Sequence, residues 1–212
     1  MDNISVIIRN RNEERYIGYA IQSVLDTFEK PEIIIVDNNS TDNSMGIVNT
    51  FDFENIKTYS IDGYTPGKSL NYGVTKCSND YILVLSAHSQ IMNCEFGKIK
   101  GLLDEHCVVG GKQIPVWNGK KISRRYVWSN FEEHDIVNQF SSNEDRYFLH
   151  NAFAFYTKQT LTEYPFDENL SGKEDRYWVN DRIEQGMDSY YDSVTTCHHH
   201  YTDNGATWKG IG

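Results

Sequence analysis

The chain has 212 residues and a formal net charge of −10, from 20 Lys and Arg against 30 Asp and Glu, with 39% hydrophobic and 24% charged residues. That length suits one ample core with at most a small appended lobe, and the composition is that of a soluble globular protein without low-complexity tracts. The acidic balance argues against a nonspecific grip on nucleic acid, which needs clustered Lys and Arg.

Neither a signal-like N-terminal stretch nor an apolar run long enough to span a bilayer occurs, so a cytoplasmic, non-spanning chain is expected. Cys77, Cys94, Cys107 and Cys197 stand far apart without a CxxC pair and read as reduced thiols.

In chain order, Ile4 to Ile8 is a short β-branched run, and after the polar loop Arg9 to Arg15 the residues Ile17, Ala20, Ile21, Val24, Leu25 and Phe28 fall on one face of a helix. PEIIIVDNNSTDNS supplies a second apolar strand, Ile33 to Val36, ending in Asp37. Ser40 or Thr41 is placed to cap the helix that carries Met45, Ile47 and Val48. A third strand, Ile56 to Ser60, runs into the loop IDGYTPGK and a short helix near Ser69 to Thr75. A fourth, beginning YILVL, is apolar or aromatic throughout, as strands covered on both faces are.

This alternation predicts an α/β fold, a parallel sheet with helices on both faces and a Rossmann-like nucleotide-binding half over residues 1–105. Residues 106–212 are less regular. They hold short β-like pieces in CVVGGKQIPVW, a polar and aromatic excursion or half-lid up to residue 149, a strand and short helix in HNAFAFYTKQTLTEY, a helix carrying Tyr177, Trp178, Val179 and Ile183, and strand-like SYYDSVTTCHHHYTD. Both halves read as parts of a single domain.

Four pieces carry the chemistry: SVIIRNRNEERYIGYAIQSVL, PEIIIVDNNSTDNS, PGKSLNYG and, far downstream, GKEDRYW. Their order resembles the inverting glycosyltransferases of family 2, which have the GT-A fold; the resemblance covers residues 1 to about 110 and, more loosely, 150–200. It implies a nucleoside diphosphate sugar (UDP, GDP or dTDP) lying across the carboxyl ends of the first strands, a glycan or lipid-linked acceptor hydroxyl, and a setting in surface polysaccharide synthesis. The implied location is the cytoplasm or the inner face of the membrane as a peripheral protein, and a homodimer is one open assembly state.

The residues make physical sense in those roles, each beside a plainer one. Asp37 ends a buried strand and can accept the imide N–H of uracil or thymine, or the N1–H and amino group of guanine; it can equally organise an Asx turn with Asn38 to Ser40. Glu13 can bond the donor ribose while Arg9 and Arg11 face the diphosphate, or all three are solvated charges at a helix start. Asn12 and Asn39, in the same two loops, complete this set. Lys68 and Asn71 follow a glycine that lets the backbone approach a ligand, or belong to an ordinary turn. Glu174–Asp175 matches the family's acidic pair, which implies Asp175 as the base that takes the acceptor proton and Glu174 as its neighbour; otherwise both stabilise their own helix start.

The fourth strand departs from the family. Where the family has Asp-x-Asp, whose carboxylates hold Mg2+ or Mn2+ against the diphosphate, the resemblance places Ser86-Ala87-His88. On one route His88 ligates a metal with histidines of the run His198-His199-His200. On a strand His198 and His200 share a face, so His88, His198 and His200 are the expected ligands, and imidazole suits Mn2+ or softer ions better than Mg2+. On the other route no metal binds, and protonated His88 with Arg9, Lys68 or Arg176 neutralises the diphosphate. Trp117, Tyr126, Trp128, Phe131, Tyr177 and Trp178 offer sugar-stacking faces or core packing.

A nucleotidyltransferase would carry a glycine-rich, lysine-bearing phosphate loop, whereas RNRNEERY has no glycine. A zinc hydrolase would need an HExxH-type helix. A catalytically inactive nucleotide-sugar or glycan binding module of the same fold is the remaining alternative.

Overall fold

The computed structural model describes residues 2–118, 120, 121, 126–203 and 205, with the backbone alone at Lys121 and Tyr126. Its elements are β1 (Ile4–Asn10), α1 (Ile17–Thr27), β2 (Glu32–Asp37), α2 (Ser44–Val48), β3 (Ile56–Ser60), α3 (Pro66–Lys76), β4 (Tyr81–Ser86), β5 (Ser89–Asn93), α4 (Phe96–Leu103), β6 (Val108–Trp117), β7 (Lys120–Lys121), a 3-10 turn (Tyr126–Asn130), β8 (Ile136–Val137), β9 (Phe140–Ser141), β10 (Arg146–Tyr147), β11 (Phe153–Thr157), α5 (Lys158–Glu163), α6 (Glu174–Glu184) and β12 (Ser189–His200).

Most of the strands join one sheet in the order β3-β2-β1-β4-β11-β6-β12-β5. β1 pairs in parallel with β2 and β4, and β2 with β3. β11 is antiparallel to both its neighbours, while β12 runs parallel to β6 and antiparallel to β5. Because β2 and β4 leave β1 on opposite sides, the chain order reverses there, and α/β sheets bind ligands in the crevice beyond the carboxyl ends at such a point. Pairing of Asn10 with Asp37 and of Arg9 with Ser86 brings those three strand ends level.

Strict alternation of apolar side chains builds the two core layers. Ile4, Val6, Ile8, Ile33, Ile35, Leu83, Leu85, Phe153 and Phe155 pack on the side of α1, α2 and α4. Ile7, Ile34, Val36, Ile82, Val84, Ala154 and Tyr156 pack on the side of α3, α5 and α6. Each such fully buried Ile or Leu stabilises the fold by about 1.5–3 kcal/mol relative to exposure, which explains why these strands contain almost nothing else.

Three expectations change. CVVGGKQIPVW is not broken into pieces: β6 is a single ten-residue strand, and its two glycines admit Leu149 and Phe153 from the neighbouring segment. The helix after β2 is not capped by Ser40 or Thr41. Asn43 stands at its N-cap without a side-chain bond, and the Asp42 carboxylate takes the N–H of Ser44 at 3.0 Å, because Ser40 is already committed to Asp37. The fourth strand does not run on through His88; it ends at Ser86, and Ala87–His88 turns the chain into β5.

Candidate active site

At the carboxyl ends of β1, β2 and β4 lies a cleft of about 790 Å³, within the range of small-molecule sites. Arg9, Asn10, Arg11, Asn12, Glu13, Asn38, Ser86, Ala87 and His88 line one side; Glu144, His150, Asn151, Lys173, Glu174, Asp175 and Arg176 line the other. Parallel strands deliver the first group. β11 delivers part of the second, because it runs antiparallel to β4 and its entry, His150 to Ala152, meets the exit of β4, with Ser86 N–H donating to Ala152 O at 3.1 Å.

The acidic pair opens α6, set by Lys173 in the left-handed region at φ 60°. Asp175 is buried, and its Oδ2 accepts from the Asn151 N–H at 2.9 Å and from Arg176 Nη1 at 2.8 Å, while Oδ1 accepts from the Arg176 N–H at 2.8 Å. Burial alone would raise the Asp175 carboxyl, but the Arg176 guanidinium and these bonds hold it below the ordinary aspartate value. Glu174 behaves oppositely: burial and the charge of Asp175 raise it, offset in part by Arg9, whose Nη1 stands 3.0 Å from Glu174 Oε1. Glu144, from the β9–β10 turn, closes the ring of charge at 3.3 Å from Lys173 Nζ and 3.6 Å from Arg176 Nε.

On the opposite wall His88 backs onto the fully buried His199. His88 Nε2 stands 3.0 Å from His199 Nε2, and His199 Nδ1 stands 2.8 Å from Gln113 Oε1. His88 Nδ1 is 3.2 Å from Glu13 Oε1. Burial pushes His150 down to about 3 and His199 well below the ordinary histidine value, so both rings are neutral at physiological pH.

The grouping of His88 with His198 and His200 is therefore corrected. His199 is the member of the run that faces His88, while His198 and His200 lie together on the other side, their ring centres 6.1 Å apart, with His200 stacked on Tyr16. The phase of β12 decides this. A bulge at 193–195 carries the pairing from Asp192 opposite Gly111 to Thr196 opposite Lys112, and three extra residues, an odd number, turn every later side chain over.

Other expected site residues separate into those the cleft includes and those it does not. Arg9, Arg11, Asn12, Glu13, Ser86, Ala87, His88, Glu174 and Asp175 line it. Asn12 spends its side chain on the neighbouring loop, accepting from the Thr41 N–H at 2.7 Å. Asp37 forms the Asx turn, accepting from the Ser40 N–H at 3.0 Å and from Asn10 Nδ2 at 2.8 Å, and so stands behind the cleft wall.

Lys68, Asn71 and Asn39 do not line the cleft. Lys68 Nζ donates to Asp62 O at 2.7 Å, Asn71 is tied to Phe166 in both directions, and Asn39 is exposed beside Asp62. The glycine of PGKSLNYG serves the backbone of residue 167 instead of a ligand: a Cβ at Gly67 would collide with the Asp167 carbonyl.

Of the aromatic residues, Trp178 and Trp128 are core, Trp117 and Tyr177 are exposed, and the Tyr126 side chain lies outside the described residues. Sequence reasoning missed Asn38, Glu144, His150, Asn151 and Gln113. Only Asn38, in the loop directly after β2, had a positional signal.

Among the described residues no group of three or more His, Cys, Asp or Glu side chains is placed to hold a metal ion. Of the three histidines expected as ligands, His88 lines the cleft and His198 and His200 do not, and His88 Nε2 is in hydrogen-bond contact with the fully buried His199.

Residues 5–164 match the family described as glycosyl transferase family 2. The minor teichoic acid biosynthesis protein GgaA of Bacillus subtilis is 26% identical over 187 residues, covering 83% of this chain and 42% of that protein. A GalNAc(5)-diNAcBac-PP-undecaprenol beta-1,3-glucosyltransferase of Campylobacter jejuni is 23% identical over 194 residues, 85% of this chain and 60% of that one. The chain thus spans about half the length of these relatives. The crystal structure of S. aureus TarS 1–349 in complex with UDP-GlcNAc shares the fold with a TM-score of 0.72 at 20% identity, over 99% of this chain and 61% of that one. With a match across well over half of its length, the chain belongs to glycosyl transferase family 2.

Proposed function

We propose that this chain transfers a sugar from a UDP-sugar to a hydroxyl of a glycan or lipid-linked acceptor, with inversion, by one in-line displacement. The observation that carries this reading is Asp175, a buried carboxylate kept ionised at the wall of a cleft whose other side is the row of parallel strand ends. Support for UDP over GDP or dTDP comes from the TarS structure, which holds UDP-GlcNAc on the same fold. A setting in cell-surface polymer assembly, with a lipid-linked acceptor, is supported by the teichoic acid and undecaprenol relatives. No helix among the described residues is long and apolar enough to cross a membrane.

An ionised carboxylate has about four acceptor positions, and Asp175 uses three on Asn151 and Arg176, which leaves one for the acceptor hydroxyl. As the acceptor oxygen bonds to the anomeric carbon, its proton passes to that position and the nucleoside diphosphate departs on the opposite side. Arg176 and Asn151 fix the aim of the carboxylate, so no reorganisation is needed at the moment of transfer. Glu174, paired with Arg9, ties α6 to β1 and fixes the distance between base and donor. A divalent cation, when bound, would offset the charge that grows on the leaving diphosphate, with His88 in the cleft wall as its candidate ligand.

A thermal-shift panel of UDP, GDP, dTDP and CDP, each with EDTA, Mg2+ or Mn2+, tests the donor site. UDP at about 100 times its Kd should add about 2.7 kcal/mol of stability. A melting point unmoved by every nucleotide under every metal condition would reject the reading.

A further inference from the structure

We infer that the tip of the β6–β7 hairpin, with the start of α1 and the end of β12 beside it, is a docking surface for an anionic lipid bilayer. Its members are the aromatic residues Trp117, Tyr19 and Tyr201 and the cations Arg15 and Lys120, none of which lines the cleft.

The chain carries a net charge of −10, yet the 26 residues from His106 to Phe131 hold five Lys and Arg and no Asp or Glu. A basic stretch in an otherwise acidic chain is a place where an anionic partner can be met locally.

The sheet carries the middle of that stretch to a projecting tip. β11 is antiparallel to both β4 and β6, with Ala154 opposite Val84 on one side and opposite Gly110 on the other, so β4 and β6 run in the same direction. β4 ends at Ser86, level with Lys112, whereas β6 continues five residues farther to Trp117, an overhang of about 16 Å. Asn118, in the left-handed region at φ 48°, then turns the chain so that Lys120 pairs with Trp117.

Aromatic and basic groups meet there. Trp117 is half exposed and stands edge-on to Tyr201, with ring centres 6.0 Å apart. Arg15 Nη2 donates to Asn118 Oδ1 at 3.3 Å while its guanidinium covers the Tyr16 ring, and Tyr19, about one turn farther along α1, is 59% exposed. The acids that flank these residues in sequence are engaged: Glu14 accepts from the Asn43 N–H at 2.8 Å, and Asp203 accepts from the Tyr201 hydroxyl at 2.8 Å.

Trp and Tyr rings settle at the boundary between acyl chains and head groups, where neighbouring Arg and Lys meet lipid phosphates. A tip that projects suits a flat bilayer, whereas soluble ligands are held in concave sites. Because β6 ends at the same edge of the sheet as β4, docking would turn the cleft mouth toward the bilayer, where a lipid-linked acceptor keeps its head group.

The test is sedimentation of the protein with vesicles of phosphatidylcholine, with and without phosphatidylglycerol. Binding is expected to the anionic vesicles alone, and salt at about 1 M, where the screening length falls to about 3 Å, should release it. The double variant Arg15→Gln/Lys120→Gln should bind at least about tenfold more weakly. Trp117→Ser should also weaken binding, by about threefold or more. Lys30→Gln, an exposed position beyond the far end of α1, should bind as the wild type does.

Failure to sediment with anionic vesicles, equal binding to phosphatidylcholine alone, or wild-type binding in the double variant would overturn the inference. So would binding to a soluble acidic polysaccharide such as heparin without binding to vesicles, which would give the surface to a glycan. The melting-point shift with UDP, scored on the same samples, reports separately on the donor site: if UDP shifts the melting point while vesicles are ignored, the docking inference alone falls.

Discussion

Arg9, near the end of β1, reaches Glu174 at the head of α6 with 3.0 Å between Nη1 and Oε1, a tie between elements 165 residues apart. Neither side chain has another ion-pair partner among those described, and Glu174 is buried. Removing one partner of a buried pair leaves an uncompensated charge, at a cost of about 3 kcal/mol. Arg9→Met should lower stability by about that amount in urea unfolding, whereas Glu174→Gln, which can still accept from Arg9, should lose less.

Asp175 sets the pH response. An acid held below its unfolded value contributes stability that is present above that value and lost as pH falls through the folded one. Asp175 therefore supports the fold above its ordinary 3.8 and stops doing so below it. Glu174, raised above 4.5, works in the other direction: its ionisation weakens the fold as pH rises from 4.5 through its folded value. The acidic limb of kcat/KM should fall below pH 3.8, and Arg176→Gln, which removes the main opposing charge, should move that limb upward. A limb that stays in place would show that Arg176 does not tune the base.

Gly67 marks a contact that no other residue permits. Its Cα faces the Asp167 carbonyl, where any Cβ would overlap the oxygen. Gly67→Ala should destabilise the fold by about 1–3 kcal/mol, the usual cost of overpacking. Gly101, with nothing near its Cβ position, is the control, and Gly101→Ala, inside α4, should stabilise slightly.

Asn38 lines the cleft with a buried Nδ2 that has no hydrogen-bond partner among the described residues. An unsatisfied buried donor costs the free protein about 1–3 kcal/mol. Asn38→Ala should therefore leave the melting point unchanged or raised while weakening UDP about fivefold to tenfold in calorimetry. A lower melting point with unchanged UDP affinity would give Asn38 a structural role only.

The central strands were legible because VII, IIIV, ILVL and FAFY are apolar or aromatic runs separated by polar turns. The acidic pair was legible because it opens a helix after a glycine. What escaped was long-range phase. Alternation shows that His198 and His200 share a face, but only the bulge at 193–195 determines that His199 is the one turned toward His88. Lys68 and Asn71 stood in a suggestive motif, yet their partners, Asp62 and Phe166, are set by how α3 packs and not by local spacing. Gln113, inside an apolar-looking strand, gave no local signal of its tie to His199.

The account rests most on Asp175 as the base of an inverting transfer. Proton NMR of the sugar released from an α-linked UDP-sugar, before mutarotation, measures both halves of that claim. The β anomer should appear first, and turnover should fall at least about 100-fold in Asp175→Asn. Release of the α anomer, or undiminished turnover in Asp175→Asn, would contradict it.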